Sequence, residues 1–175
     1  MQKRSFLVSV FLVAVVGARA APVRAEATPE AAAIERGRYL VTIGACNDCH
    51  TPGYAQSGGA TPEGAWLTGN GIGFQGAWGT TYPANLRLVT QRLSEDQWVA
   101  RARSAMRPPM PWFVLNSMKE DDVRAVYRFI RHLGAEGKPA PSYVAPGEVP
   151  ATPVIHFEPV VPPVPGRPLV VNDAG

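Results

Sequence analysis

Cys46-Asn47-Asp48-Cys49-His50 constrains this chain more than any other stretch. Residues at i, i+3 and i+4 share one face of a helical turn, so two thiols and an imidazole can meet one flat object together. The spacing is C-x-x-C-H, the attachment pattern of a c-type haem: both thiols add to haem vinyl groups and the histidine becomes an axial iron ligand. Three other readings compete. Structural zinc takes four ligands, but the chain has only two cysteines, and His132 and His156 complete a set only at irregular spacing. A redox C-x-x-C belongs in a βαβ pattern, and none is visible. The third is a chance match.

The N-terminus points to export. Met1 to Arg4 is basic, Ser5 to Gly17 is apolar apart from Ser5 and Ser9, and Ala18-Arg19-Ala20 offers an A-x-A cleavage site, with Val23-Arg24-Ala25 a second. This is the pattern of a secretory signal peptide over residues 1–25. The apolar run is short for a membrane span, so no stable span is expected after cleavage; an uncleaved anchor is the competing reading. No cysteine near the cleavage region suggests a lipid anchor. Bacteria attach c-type haem outside the cytoplasm, so the expected location is the periplasm.

Export changes the charge argument. The whole chain carries 17 Lys+Arg against 14 Asp+Glu, a net +3 with a pI near 9.1. Cleavage after Ala25 removes Lys3, Arg4, Arg19 and Arg24, leaving 13 against 14. The basic pI therefore gives no support to nucleic-acid binding. About 150 residues remain, enough for one domain, and a buried haem would add apolar surface to its core.

Thr28 can cap a helix with Pro29 at its first position. Ala33, Ile34, Gly37, Leu40, Val41 and Gly44 recur at helical spacing, and this helix is expected to run into the haem motif. Gly53 to Gly79 holds nine glycines without a sustained period and reads as a long loop. Such a loop suits a compact domain only if it wraps something that supplies its missing core. Trp66, Phe74, Trp78 and Tyr82 are the candidates to pack on a haem there, with packing elsewhere the alternative. Ser94-Glu95-Asp96-Gln97 is a capping box, followed by Trp98, Val99, Ala102, Ala105 and Met106 on one face up to Pro108. Ser117-Met118-Lys119-Glu120 is a second box. The helix after it has Asp121 and Asp122 in its first turn, and a stripe of Val123, Val126, Tyr127, Ile130 and Leu133. Arg128, Arg131 and His132 lie near its end, and Gly134 stops it. Ten prolines between Pro139 and Pro168 exclude helix and central strand. Residues 26–138 are thus expected to form the domain and 139–175 an extended tail, which crosses the domain or reaches toward a partner.

A haem iron held by His50 has a second axial position, and the candidates are Met106, Met110, Met118, His132 and His156. Methionines on or beside helix faces usually fill core, and a histidine near a helix end usually answers the dipole. Met110 stands apart in Arg107-Pro108-Pro109-Met110-Pro111-Trp112. Three prolines stiffen that loop, and a thioether is a weak ligand that the protein must hold in place. His/Met ligation raises the reduction potential and fills both axial positions, which favours outer-sphere electron transfer over catalysis.

These features resemble class I cytochromes c, and more narrowly the cytochrome domains that serve bacterial periplasmic dehydrogenases for alcohols, aldehydes, gluconate or N-heterocycles. Four stretches carry the resemblance: Gly37-Arg38-Tyr39-Leu40 leading to the haem motif; Gly79-Thr80-Thr81-Tyr82-Pro83-Ala84-Asn85-Leu86, similar to G-x-x-Y-x-x-N-[IL]; Trp98 followed by Met110-Pro111; and the last helix with Asp122, Tyr127 and Ile130. It spans Glu30 to Gly134. The resemblance implies an all-α class I cytochrome c fold around one haem c bound through Cys46 and Cys49, with His50 proximal and Met110 distal. It also implies that the first and last helices cross at Gly37 against Tyr127. One departure is plain: relatives often carry two or three C-x-x-C-H motifs and a membrane-anchoring tail, whereas this chain has one motif and a polar, proline-rich end.

The leading functional expectation is a monohaem carrier, not an enzyme, taking single electrons from a periplasmic dehydrogenase toward a respiratory acceptor. A dedicated subunit of a dehydrogenase complex, tethered by the tail, is the second; a haem enzyme or gas sensor with an open iron is the third. Trp112 and Phe113 are candidates for an apolar docking patch or for buried packing. Arg87, Arg92, Arg101, Arg103 and Arg107 are candidates to neutralise haem propionates or steer an acidic partner, against the alternative of a solvated face.

Overall fold

The computed structural model describes residues 27–159; the expected signal segment and the end of the tail lie outside them. Two crossed helices carry the core. Helix α1, Pro29–Ile43, starts where the Thr28 hydroxyl accepts the Ala31 N–H, with proline at the first turn. Helix α6, Glu120–Leu133, has Glu120, Asp121 and Asp122 in its first turn and Arg131 and His132 in its last, a distribution that complements the helix dipole. Gly37 of α1 meets the backbone of Ala125 and the Phe129 side chain. That crossing differs from the expected Gly37–Tyr127 contact. Tyr127 turns the other way, donating to the Leu93 carbonyl at 2.8 Å and lying 6.3 Å from the Trp98 ring. Leu40 and Val41 bury against Val123, Val126, Phe129 and Ile130, and Arg36 pairs with Asp122 at 2.9 Å on the rim.

The helix into the haem motif is broken. Gly44 caps α1 and Ala45 takes a left-handed conformation at φ 54°. The chain then restarts as α2, Cys46–His50. The break redirects the axis so that α2 need not continue the line of α1.

Helix α3, Leu86–Arg92, was not anticipated. Asn85 caps it by accepting the Leu88 N–H at 3.0 Å, the role its residue type favours. Helix α4, Glu95–Ala102, has the full expected capping box of Ser94 and Gln97. It ends at Ala102 rather than at Pro108, because the Arg103 guanidinium donates to the carbonyls of Leu115, Asn116 and Met118 and pulls the chain off the helix axis. Ala105 and Met106 therefore lie in a loop. Helix α5, Trp112–Ser117, occupies the residues expected to precede a second capping box. That box does not form. The N-cap of α6 is Lys119 with no side-chain bond, and the Ser117 hydroxyl donates to Phe113 within α5 at 2.8 Å.

The glycine-rich segment is more ordered than a loop. It contains a 3-10 turn at Glu63–Ala65 and a hairpin of β1, Gly73–Gly76, and β2, Gly79–Thr81. The hairpin pairs Phe74 with Thr81 and Gly76 with Gly79. The proline-rich tail adds β3, Val154–His156, parallel to β1. Its position on the edge agrees with the limits proline imposes. The sheet order is β2-β1-β3, a small appendage on a helical domain.

Candidate haem site

A cleft of about 670 Å³ opens beside α2, within the size range of cofactor pockets. Cys46, Cys49 and His50 line it from α2, and Met106 and Met110 from the loop after α4. Trp98, Ala102, Leu115 and Val126 form an apolar wall from three helices, and Phe74, Thr81 and Tyr82 another from the hairpin. All four residues singled out in the sequence, Cys46, Cys49, His50 and Met110, thus border one space.

His50 is held by its surroundings. Its ring is buried, and Nδ1 lies 2.7 Å from the Ala84 carbonyl. A carbonyl only accepts, so Nδ1 carries the proton and Nε2 keeps its lone pair. Burial lowers the pKa of the imidazole, opposed by the bond to Ala84, which keeps the ring neutral and fit to bind a metal. Ala84 is placed by a cross-braced backbone: Gly69 N–H donates to the His50 carbonyl at 2.8 Å, Asn70 N–H to Pro83 at 3.1 Å and Leu86 N–H to Leu67 at 3.0 Å. Gly69 has φ +83°, and a Cβ there would fall 2.7 Å from the Asn85 nitrogen. Buried Asn47 and Thr51 lock α2 to the same segment. The Thr51 hydroxyl donates to Asn47 Oδ1 and accepts the Leu67 N–H, both at 2.7 Å.

The chemistry of this donor set fits haem. Cys46 and Cys49 are not disulfide-bonded. Burial pushes the Cys46 thiol up to about 11, the opposite of the depressed thiolate a dithiol redox centre requires. Among the described residues, no group of three or more His, Cys, Asp or Glu side chains gathers as a metal site, so a zinc reading finds no partners. Thr81 borders the cleft with a buried hydroxyl oxygen lacking any hydrogen-bond partner in the protein, a donor suited to a haem carboxylate.

The four aromatic candidates divide. Phe74 and Tyr82 line the cleft. Trp66 packs on Tyr54 and Phe129, and Trp78 lies against Phe157. The arginines divide as well. Arg101 and Arg107 border the cleft. Arg87 is buried, donating to the carbonyls of Gly134, Leu133 and Gly64. It closes the C-terminal end of α6 and is not available to a propionate or a partner. Arg103 is likewise engaged by backbone carbonyls, and Arg92 lies outside the cleft. Of the axial candidates, Met118 packs against the core, and His132 and His156 are exposed away from the cleft. Trp112 is half-buried and Phe113 is 61 % exposed; the two rings meet edge to face, outside the cleft.

Met106, one of the axial candidates, also reaches the cleft, from the loop after α4. Sequence reasoning missed the roles of three other residues, Asn85, Pro141 and Tyr143. Asn85 braces the site, donating to the carbonyls of Glu136 and Lys138 at 2.7 and 3.1 Å; its place before an apolar run was the available signal. Pro141 and Tyr143 reach the cleft from the tail, a contact that no local pattern announces.

Residues 34–134, more than half of the chain, match the family model for cytochrome c. The chain belongs to the cytochrome c family, and its helical fold agrees with the class I form. It binds haem c covalently through Cys46 and Cys49, and it is a haem-based electron-transfer protein. No curated protein and no solved structure matches the chain significantly. Among the described residues, no helix is long and apolar enough to cross a membrane.

Proposed function

We propose that this protein is a periplasmic monohaem carrier that passes single electrons from a dehydrogenase toward a respiratory acceptor, with His50 and Met110 as axial ligands. The observation that carries the reading is the convergence of His50 and Met110, sixty residues apart, on one apolar cleft, with His50 Nε2 kept free by the Nδ1–Ala84 bond. The haem supplies one reversible oxidation state change. The chain's residues orient the imidazole, hold a thioether in a stiff loop and keep water from the apolar walls. With nitrogen and sulfur as ligands the potential is raised and no position is left open to oxygen or peroxide. That separates a carrier from a haem enzyme or gas sensor.

The tail supports a free carrier over a tethered subunit. As far as Phe157 it packs on the hairpin of its own domain, so this part is not a loose strap between proteins. The signal-like N-terminus and the single haem motif support export and the monohaem assignment.

Met110→Ala is the decisive test, run beside Met106→Ala because both sulfurs reach the cleft. Met110→Ala should lower the potential and let carbon monoxide bind rapidly to the reduced protein, while Met106→Ala should do neither. A Met110→Ala protein with the wild-type spectrum and potential refutes the ligand assignment. Purification of the exported protein with and without its native donor tests the carrier: co-purification in a fixed ratio would favour the subunit.

A further inference from the structure

Beyond α6 the described chain stays on the domain as far as Phe157. Val144 pairs with Thr80 in both directions, at 2.8 and 3.0 Å, on the outer edge of β2. Gly79, at φ +90°, permits this approach, since a Cβ there would collide with the Val144 carbonyl. The Tyr143 hydroxyl donates to the Trp78 carbonyl at 2.7 Å. The chain then turns and returns along the opposite edge of the hairpin as β3. There Phe157 N–H donates to Gln75 at 2.8 Å, and its ring meets Phe74 and Trp78 edge to face. One proline-rich segment thus grips both edges of the hairpin.

That segment also touches the methionine loop. The Arg107 guanidinium lies 4.1 Å from the centre of the Tyr143 ring, well within cation–π range. The Arg107 carbonyl accepts the Met110 N–H at 3.3 Å, so the two residues close one turn. Among the described residues, Arg107 makes no side-chain hydrogen bond or ion pair. The loop is anchored at its start by Arg103 and at its end by α5; at its middle, Met106 and Met110 pack against the core and the Tyr143 ring holds Arg107 from the outside.

We propose that the strap of residues 139–157 is a working wall of the haem cleft and that Tyr143 is a positioning residue for Met110, acting through Arg107. The inference rests on Met110 being the axial ligand. A thioether binds weakly, so its residence on the metal depends on how narrowly the loop is confined. Each contact that restricts the turn reduces the fraction of time the sulfur is away. Prolines stiffen the turn from within, and the Tyr143 ring holds it from outside.

The test compares the haem-loaded wild-type protein with Tyr143→Ala, Tyr143→Phe, Arg107→Ala and Met110→Ala. It reads the rate of carbon monoxide binding to the reduced protein and the sulfur-to-iron charge-transfer band of the oxidised one. Tyr143→Ala and Arg107→Ala should each speed carbon monoxide binding about threefold, the population change expected from losing one exposed cation–π contact. Combined, they should add little to either alone. Tyr143→Phe keeps the ring and should keep the wild-type rate, although it loses the bond to Trp78. If Met110→Ala binds carbon monoxide fast while both contact variants stay at the wild-type rate, the positioning role is wrong and the ligand assignment stands. If Tyr143→Ala only lowers thermal stability, the strap is purely structural and the proposal falls. If Met110→Ala behaves as wild type, both readings fall. Should Tyr143→Ala fold poorly, Arg107→Ala changes an exposed side chain outside the strap and reads the same contact.

Discussion

Gly37→Ala should destabilise this protein although it replaces a poor helix former with the best one. Within a helix, alanine is favoured over glycine by about 1 kcal/mol. Here the added Cβ would overlap the Ala125 carbonyl oxygen and fall 2.7 Å from Phe129 Cβ. The obstacle is main chain and the root of a buried ring, neither of which can rotate away. Helices α1 and α6 must separate, and overpacking of this kind costs about 1–3 kcal/mol. Near the upper end, as a backbone obstacle implies, the net loss is about 1–2 kcal/mol, or a fall in Tm of roughly 4–10 °C for a domain of this size. The control is Gly64→Ala, where a Cβ meets nothing within 4 Å and no loss is expected. Thermal unfolding of both haem-loaded variants, followed by far-ultraviolet circular dichroism, gives the comparison. If Gly37→Ala unfolds at or above the wild-type temperature, the close crossing of the two helices is wrong.

The two serine motifs should behave differently despite their similar sequences. Ser94→Ala removes a formed capping box and should cost about 1 kcal/mol, while Ser117→Ala should change the unfolding free energy read from denaturant titration by less than about 0.5 kcal/mol. Equal losses would contradict the assignment of Lys119 as the α6 N-cap. The Asp122 carboxyl is held below the ordinary carboxylate value mainly by its hydrogen bond from Arg36. Its contribution is therefore complete above the unfolded carboxyl's range and is lost as pH falls through the folded value. Asp122→Asn should be slightly less stable than wild type at neutral pH, the effect being limited by solvent around the pair. The gap should close in strong acid. A gap that persists there, followed by denaturant unfolding across the pH range, would show that the loss is not electrostatic.

Much of the site was legible because its signals are local. Cys46, Cys49 and His50 declare themselves within one turn, and Met110 is marked by the prolines around it. Thr28 and Ser94 announced helix starts, and Gly134 a helix end, because capping depends on backbone groups within a few residues. The misread elements are those in which a distant partner overrides the local preference. Arg103 ends α4 early by reaching carbonyls of α5, and Ser117 bonds back into α5 instead of capping α6. Arg87 looked like surface charge beside Arg92. Only the fold reveals that three backbone carbonyls surround it.

The sequence by itself determined that a haem is attached, through which two cysteines, and where α1 and α4 begin. Covalent attachment needs a fixed spacing, and helix starts need particular residues, so both are written in consecutive positions. Only the tertiary structure decided that the glycine-rich segment becomes a hairpin and that the tail clasps it from both edges. It alone decided that Met106 joins Met110 at the cleft and that Gly37 lies against Ala125 rather than Tyr127. Those outcomes depend on which surfaces meet after the chain closes loops of tens of residues. That choice is made by the combined packing of α1, α6 and the hairpin, and no single stretch encodes it.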